Sequence, residues 1–189
     1  AYTSVVGNAT FTGAVDLDGG AITTTVTTSA SGTDIIFTST IDDNIAGETD
    51  LTLVAGAGNV DLRGNVGGTI RVDDFTVTSA ATADLINVIA DTISVTATSI
   101  DLESTTYTAT VGNATFTGAV DLDGGAITTT VTTSAGGGDI IFTAAIDDNI
   151  AKETDLVLVA GAGDVDLRST VGGTISIDDF TVTSAANAD

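Results

Sequence analysis

The groups in this chain that could do chemistry are almost all carboxylates. Its 189 residues include 26 Asp and Glu, four Lys and Arg, and no His or Cys. The usual general base, the usual nucleophile–base pair and the usual transition-metal ligands are therefore missing. Asp16 with Asp18, Asp42 with Asp43, and Asp73 with Asp74 are pairs of the kind glycosidases use. Each pair recurs 105 residues further on. A catalytic cleft is built once, not once per repeat, so no enzyme is expected.

Calcium is the sharper use for so many carboxylates, because it takes six to eight oxygens from carboxylates, amides and carbonyls. The segment 41–50 holds Asp42, Asp43, Asn44, Glu48 and Asp50, and its repeat holds Asp147, Asp148, Asn149, Glu153 and Asp155. These ten residues are the candidate Ca²⁺ ligands, although the EF-hand spacing and the GGxGxD nonapeptide are both absent. The competing reading is a solvated acidic turn in which Asp and Asn serve as turn formers. No cofactor is required by any motif. Gly56, Gly58, Gly67 and Gly68 lack the context of a phosphate loop and read as corners. Thr23–Thr28 and Thr106, Thr108 and Thr110 offer TxT spacing, but the runs do not recur often enough to form a flat ice-binding ladder. Lys152 replaces Gly47 of the first copy, and a group found in one copy alone is not expected to be essential.

The elements that must carry these residues are strands. Val15–Asp18, Val60–Arg63, Ile70–Asp73, Phe75–Thr78, Ile93–Thr96 and Ile100–Glu103 all alternate apolar with polar, which is the period of a half-buried strand. The apolar share is 42%, built from Val, Ile, Leu and Ala with six Phe and no Trp, Met or Pro, a set that with abundant Thr favours strands. Gly19–Gly20, Ser29–Gly32, Asp42–Gly47, Gly56–Gly58 and Gly67–Gly68 supply turn material between them. The segment Asp43–Thr49 is the best helix candidate and reads as a loop.

The chain is also a repeat. Gly7–Ala30 returns letter for letter at Gly112–Ala135, and the offset of 105 holds without a gap from Ala1 onward. The expected organisation is one continuous segment, 1–189, with copy one at 1–105 and a partial copy two at 106–189. The slice is expected to continue into flanking copies. Inside copy one, Phe11, Phe37, Leu62 and Leu85 recur at similar phases, with 31 residues more to Phe116. That spacing predicts four or five coils per copy in a parallel β-solenoid, with inward side chains piling into one core. The copies would be spaced roughly 19–24 Å apart along the axis. The alternative is a tandem array of immunoglobulin-like sandwiches, whose units are of similar length. The absence of a core Trp and of any Pro counts against it.

The inward set is expected to be Phe11, Val15, Leu17, Ile22, Ile35, Phe37, Leu51, Leu53, Val60, Leu62, Ile70, Val72, Phe75, Val77, Ile93, Val95, Ile100 and Leu102, with their equivalents in copy two. Asp16, Asp18, Asp61, Arg63, Asp73 and Asp101 are expected outside, since a one-residue slip would exchange the faces.

A net charge of −22 argues against nucleic acid or anionic membrane as a partner and favours solubility. No run approaches the roughly 20 apolar residues of a membrane-spanning helix. Phrases such as the DIIF of 34–37 and the LTLVAGAGNV of 51–60 resemble the repeat regions of giant bacterial exoproteins, the filamentous-haemagglutinin-like adhesins. That resemblance implies a parallel β-helix shaft, extracellular or on the cell surface, that serves adhesion or forms a fibre. The expected function is structural. The expected partners are further copies along the fibre axis, with other shafts or surface glycans as lateral partners. The alternative is a repeat module that binds Ca²⁺ or glycan.

Overall fold

A computed structural model describes residues 1–28, 32–133 and 136–189. Part of the Ser29–Gly32 turn expected from the sequence, residues 29–31, lies outside these, as do residues 134–135. Every regular element among the described residues is a strand. Copy one begins with β1 Tyr2–Ser4, β2 Ala9–Phe11, β3 Val15–Leu17, β4 Thr23–Thr28, β5 Ile35–Phe37 and β6 Ile41–Asp43. It continues with β7 Asp50–Val54, β8 Val60–Leu62, β9 Val72–Ser79, β10 Thr82–Leu85 and β11 Val88–Leu102. Copy two has β12 Thr106–Ala109, β13 Ala114–Leu122, β14 Thr128–Thr132 and β15 Ile140–Phe142. The last strands are β16 Ile146–Asp148, β17 Asp155–Val159, β18 Val165–Leu167 and β19 Phe180–Ser184.

All the strand pairings among the described residues are parallel. Immunoglobulin-like sandwiches pair their strands antiparallel, so the chain is a parallel β-solenoid. Three ladders run along it. The first stacks Tyr2, Val26, Leu53, Val77, Val95, Phe116, Phe142 and Leu167. The second stacks Phe11, Phe37 and Leu62, steps to β10 through Ala83 on Val60, and goes on through Leu85, Leu102 and Leu122. The third stacks Val15, Ile41, Val66, Val88, Tyr107, Val131, Leu158 and Val182. Each coil visits the three ladders in turn, and the inward side chains form one apolar cluster from Leu17 to Ile177.

Coil length varies. Val26 and Leu53 are stacked partners across a long coil, whereas Val77 and Val95 are partners across the shortest coil of that ladder. The short coil lies where β11 runs through 15 residues without a glycine, so the chain turns its corners inside a strand. For this reason Leu85 is followed on its ladder by Leu102 and Leu122. Phe116 lies on the first ladder, and the expected stacking step from Leu85 to Phe116 does not exist.

The two copies therefore do not stack in phase. Phe11 is on the second ladder and its repeat Phe116 on the first. Val26 is on the first and its repeat Val131 on the third. Counted along the pairings, Phe11 to Phe116 is fourteen strand positions at three per coil, or four and two-thirds coils.

Most of the expected inward set is buried, from Ile35 and Phe37 through Leu102 and on to Phe116, Phe142 and Leu158. Some positions differ. Ile22 is 55% exposed because it precedes β4 in a tight turn, its N–H donating to Gly20 O at 2.6 Å. Ile70, Ile127 and Ile175 are half-buried in the corresponding turns. Phe11 and Val15 are half-buried on the uncovered first coil, and Leu167 and Val182 on the last coils, where Phe180 is exposed. At the first coil the core opens as a recess of about 730 Å³ lined by Tyr2, Phe11, Leu17, Val26 and Phe37 among others. Asp16, Asp18 and Arg63 are exposed, while Asp61, Asp73 and Asp101 lie on the outer side but half-buried by their stacked neighbours.

Candidate functional site

The acidic loops are corners, and their carboxylates close them. In copy one the Asp43 side chain turns inward and is buried. Its Oδ1 accepts the Asn44 N–H at 2.9 Å, and its Oδ2 accepts those of Glu48 and Thr49 at 3.0 and 2.8 Å. Asp148 in copy two is buried in the same way and takes the amides of Glu153 and Thr154 at 2.9 and 3.0 Å. A buried carboxylate is tolerated when it accepts several amide hydrogens.

The other candidate ligands reach across coils. Asp42 Oδ1 accepts the N–H groups of Thr69 and Ile70 in the next coil, and Asp147 does the same for Thr174 and Ile175. Asn44 donates to Asp18 at 2.6 Å, and Asn149 donates to Asp123. Asp50 and Asp155 accept from the hydroxyls of Thr23 and Thr128. Glu48 and Glu153 contribute backbone amides to the buried Asp. The ten candidate residues are thus brought together as two equivalent loops. Among the described residues no three acidic side chains converge as a metal cage.

The only positive φ outside glycine among the described residues occurs at this loop, at Lys152 with φ 64°, where copy one has Gly47 with φ 69°. A Cβ at Gly47 would meet Asp91 Oδ2 at 2.8 Å and Arg71 Nη2 at 2.9 Å, because the Arg71–Asp91 ion pair folds over it. In copy two Ser176 stands in place of Arg71, and the space opens. Lys152 then accepts a left-handed conformation that costs a non-glycine residue about 1 kcal/mol.

Two further polar features were not singled out from the sequence. The first is a corner stack of Asn and Asp. Asn8 Oδ1 accepts from Asp34 N, Asp34 Oδ1 from Asn59 N, and Asn59 Oδ1 from Thr82 N. Copy two repeats the stack through Asn113, Asp139 and Asp164 up to Asn187. Its signal was legible, since an Asn or Asp precedes each of Ala9, Ile35 and Val60 at the same spacing as the Phe and Leu positions.

The second is a column of outward carboxylates in register on the second ladder: Asp61, Asp84, Asp101, Asp121 and Asp147. Arg63 pairs with Asp61 at 2.5 Å. Partial burial, then the charge of Asp101 and of Glu103, pushes Asp84 up to about 7. Burial with neighbouring acids raises Asp121 and Glu103 as well. Burial alone would also raise Asp91, but hydrogen bonds from Arg71 and Thr110 bring it below the ordinary carboxylate range. The sequence hid this column because its members are 23, 17, 20 and 26 residues apart, spacings that only the coil lengths explain.

No family model, curated protein or solved structure matches this chain. What the geometry defines is a class, a parallel β-solenoid of tandem repeats whose polar side chains mostly close corners and bridge coils.

Proposed function

We propose that the chain is a stretch of the structural shaft of a long secreted or cell-surface fibre, of the kind found in filamentous-haemagglutinin-like bacterial adhesins. The observation that carries this reading is the junction between the copies. Tyr107 opens copy two and is fully buried on the third ladder, stacked on Val88, with its hydroxyl donating to Leu85 O at 2.6 Å. The ladders pass through residues 84–106 without a break in pairing, so one copy seats on the coils of the copy before it. Parallel backbone bonding along an axis, with one apolar core beneath, suits a load-bearing rod. An acidic chain without cysteine fits life outside the cell. Further copies of the repeat are the natural partners along the axis.

The test is the length of concatenated chains. Two, four and six full copies, measured by small-angle scattering or electron microscopy, should give one stiff rod that grows by about 22 Å per copy. Compact bodies tumbling independently on flexible joints would refute the shaft.

A further inference from the structure

The recess at the first coil is an apolar surface whose cover can be seen one copy further on. Tyr2, Phe11, Val15 and Leu17 line it. Their repeats Tyr107, Phe116, Val120 and Leu122 are all buried. Tyr107 pairs with Val88, Phe116 with Val95, Val120 with Ile100 and Leu122 with Leu102. The Tyr107 hydroxyl donates to Leu85 O. The whole cover thus comes from one segment, 85–105. It contains neither Gly nor Pro, and its apolar positions alternate as a strand requires. Val88 stands on the third ladder, Val95 on the first and Leu102 on the second. The segment is therefore one whole coil, and a coil added at the recess leaves every later ladder in phase.

This coil has two sides, and the repeat preserves only one of its seats in full. Toward copy one, Ile93 and Val95 lie on Phe75 and Val77, Arg71 holds Asp91, and Asn65 accepts from Asn87. On the last coil, Phe180 and Val182 repeat the apolar pair, but Thr170 and Ser176 replace Asn65 and Arg71. Toward copy two, the coil meets Tyr107 and the stretch Gly112–Leu122. Tyr2 and every residue of Gly7–Leu17 repeat these identically. One like-charge contact belongs to the same register, since Asp121 stands on Asp101 and its repeat is Asp16 at the rim of the recess.

We propose that the recess at the first coil is the docking seat for an 85–105 coil of another copy of the repeat, and that this coil docks without a peptide bond to the chain that receives it. This names the shaft's partner at that end and rests on the shaft reading. The contact is head to tail, so it extends a rod and closes no ring.

The test adds a synthetic peptide of residues 85–105 to the chain and follows amide hydrogen exchange. At the junction the Gly112 N–H donates to Asp91 O at 2.9 Å and the Asp123 N–H to Leu102 O at 3.1 Å. Their repeats Gly7 and Asp18 should exchange at least about tenfold more slowly under saturating peptide. Unchanged exchange at both, with the peptide in solution, would overturn the proposal. A Val95→Asp peptide sets a charge against Phe11 and should protect neither amide. Equal protection by that peptide would show unspecific adhesion and overturn it as well. An Asp101→Asn peptide loses the like charge opposite Asp16 and should bind about two- to fivefold tighter. Unchanged or weaker binding would put the coil in another register and overturn the seat. The same segment fused ahead of Ala1 covers the case of a peptide that aggregates. The fused coil should protect Gly7 and Asp18 and raise the melting temperature, and an extension of scrambled order should do neither. A fused coil that leaves both amides exchanging as before would overturn the proposal. If the chain alone protects them as its concentration rises, its own last coil fills the seat and the assignment to 85–105 falls. Concatenated rods that lengthen while peptide and fusion both fail would defeat this inference and leave the shaft standing.

Discussion

Residues 2–13 and 107–118 place equivalent side chains in two settings. Tyr2 is 60% exposed and Tyr107 is fully buried. Phe11 is half-buried, and Phe116 is closed off between Val95 and Phe142. Both phenylalanines stack on the one above, Phe11 on Phe37 at 4.5 Å and Phe116 on Phe142 at 4.9 Å. The difference lies below: Phe116 rests on Val95 of the preceding coil, whereas Phe11 is the first residue of its ladder among the described residues. Gly13 and Gly118 differ more sharply. A Cβ on Gly13 meets nothing within 4 Å, while Gly118 has φ 140° and a Cβ there would fall 2.0 Å from Ala97 O. At Gly118 the chain continues as one strand, β13, over a register shift in β11 between Thr96 and Ser99. At Gly13 it breaks into β2 and β3. A side chain's energetic weight in a solenoid thus depends on the coil beneath it as much as on its own identity.

Truncation should expose that difference most strongly. Phe116→Ala should cost about 3–5 kcal/mol, the range for a fully buried phenylalanine, and Phe11→Ala at most about half of that. Equal losses in chemical denaturation would mean that the lower neighbour contributes nothing. Gly118→Ala comes next, at about 1–3 kcal/mol for a strained backbone pressed against a carbonyl, with Gly13→Ala close to neutral. If both alanines were tolerated alike, the close approach to Ala97 would be wrong.

The phenol is a smaller probe. Tyr107→Phe removes a buried bond to Leu85 O and should cost about 1 kcal/mol, while Tyr2→Phe should leave the melting temperature where it is.

A pH effect, spread over several groups, concerns the carboxylate column on the second ladder. Asp84 is held at about 7 in the folded chain against about 3.9 when unfolded. Between those values the folded state binds more protons, so stability falls as pH rises through the window. Asp121 and Glu103, also raised, act in the same direction. The melting temperature should be higher at pH 5 than at pH 8, and Asp84→Asn should narrow the gap. A chain that gains stability from pH 5 to 8 would show that the column is hydrated and unstrained.

Several features are legible in the residues alone. Alternation at Val60–Arg63 and Phe75–Thr78 marks strands whichever fold contains them, because the side-chain period of a strand is fixed by its pleat. Phe11, Phe37 and Leu62 announce their common ladder by near-constant spacing. The acidic loops can be located as corners. That Asp43 and Asp148 point inward to hold amides cannot be read, since an Asp in a turn looks the same in sequence whether it faces solvent or closes the loop. Ile22 departs from the expected inward set because β4 begins only after it, at Thr23.

By itself, the sequence determined the repeat, the strand periodicity, the all-β composition and the acidic surface, all of which are local or follow from identity at a fixed offset. Only the tertiary structure decided on which ladder each copy stands. That phase is set by the number of strand positions between Phe11 and Phe116, and it includes the glycine-free β11, where one strand spans more than one ladder. One strand position more or fewer between them would move every later side chain to another side of the rod, whereas coils that differ by several residues stay on one ladder. Such a count is set by how coils pack on one another, and no short stretch of sequence records it.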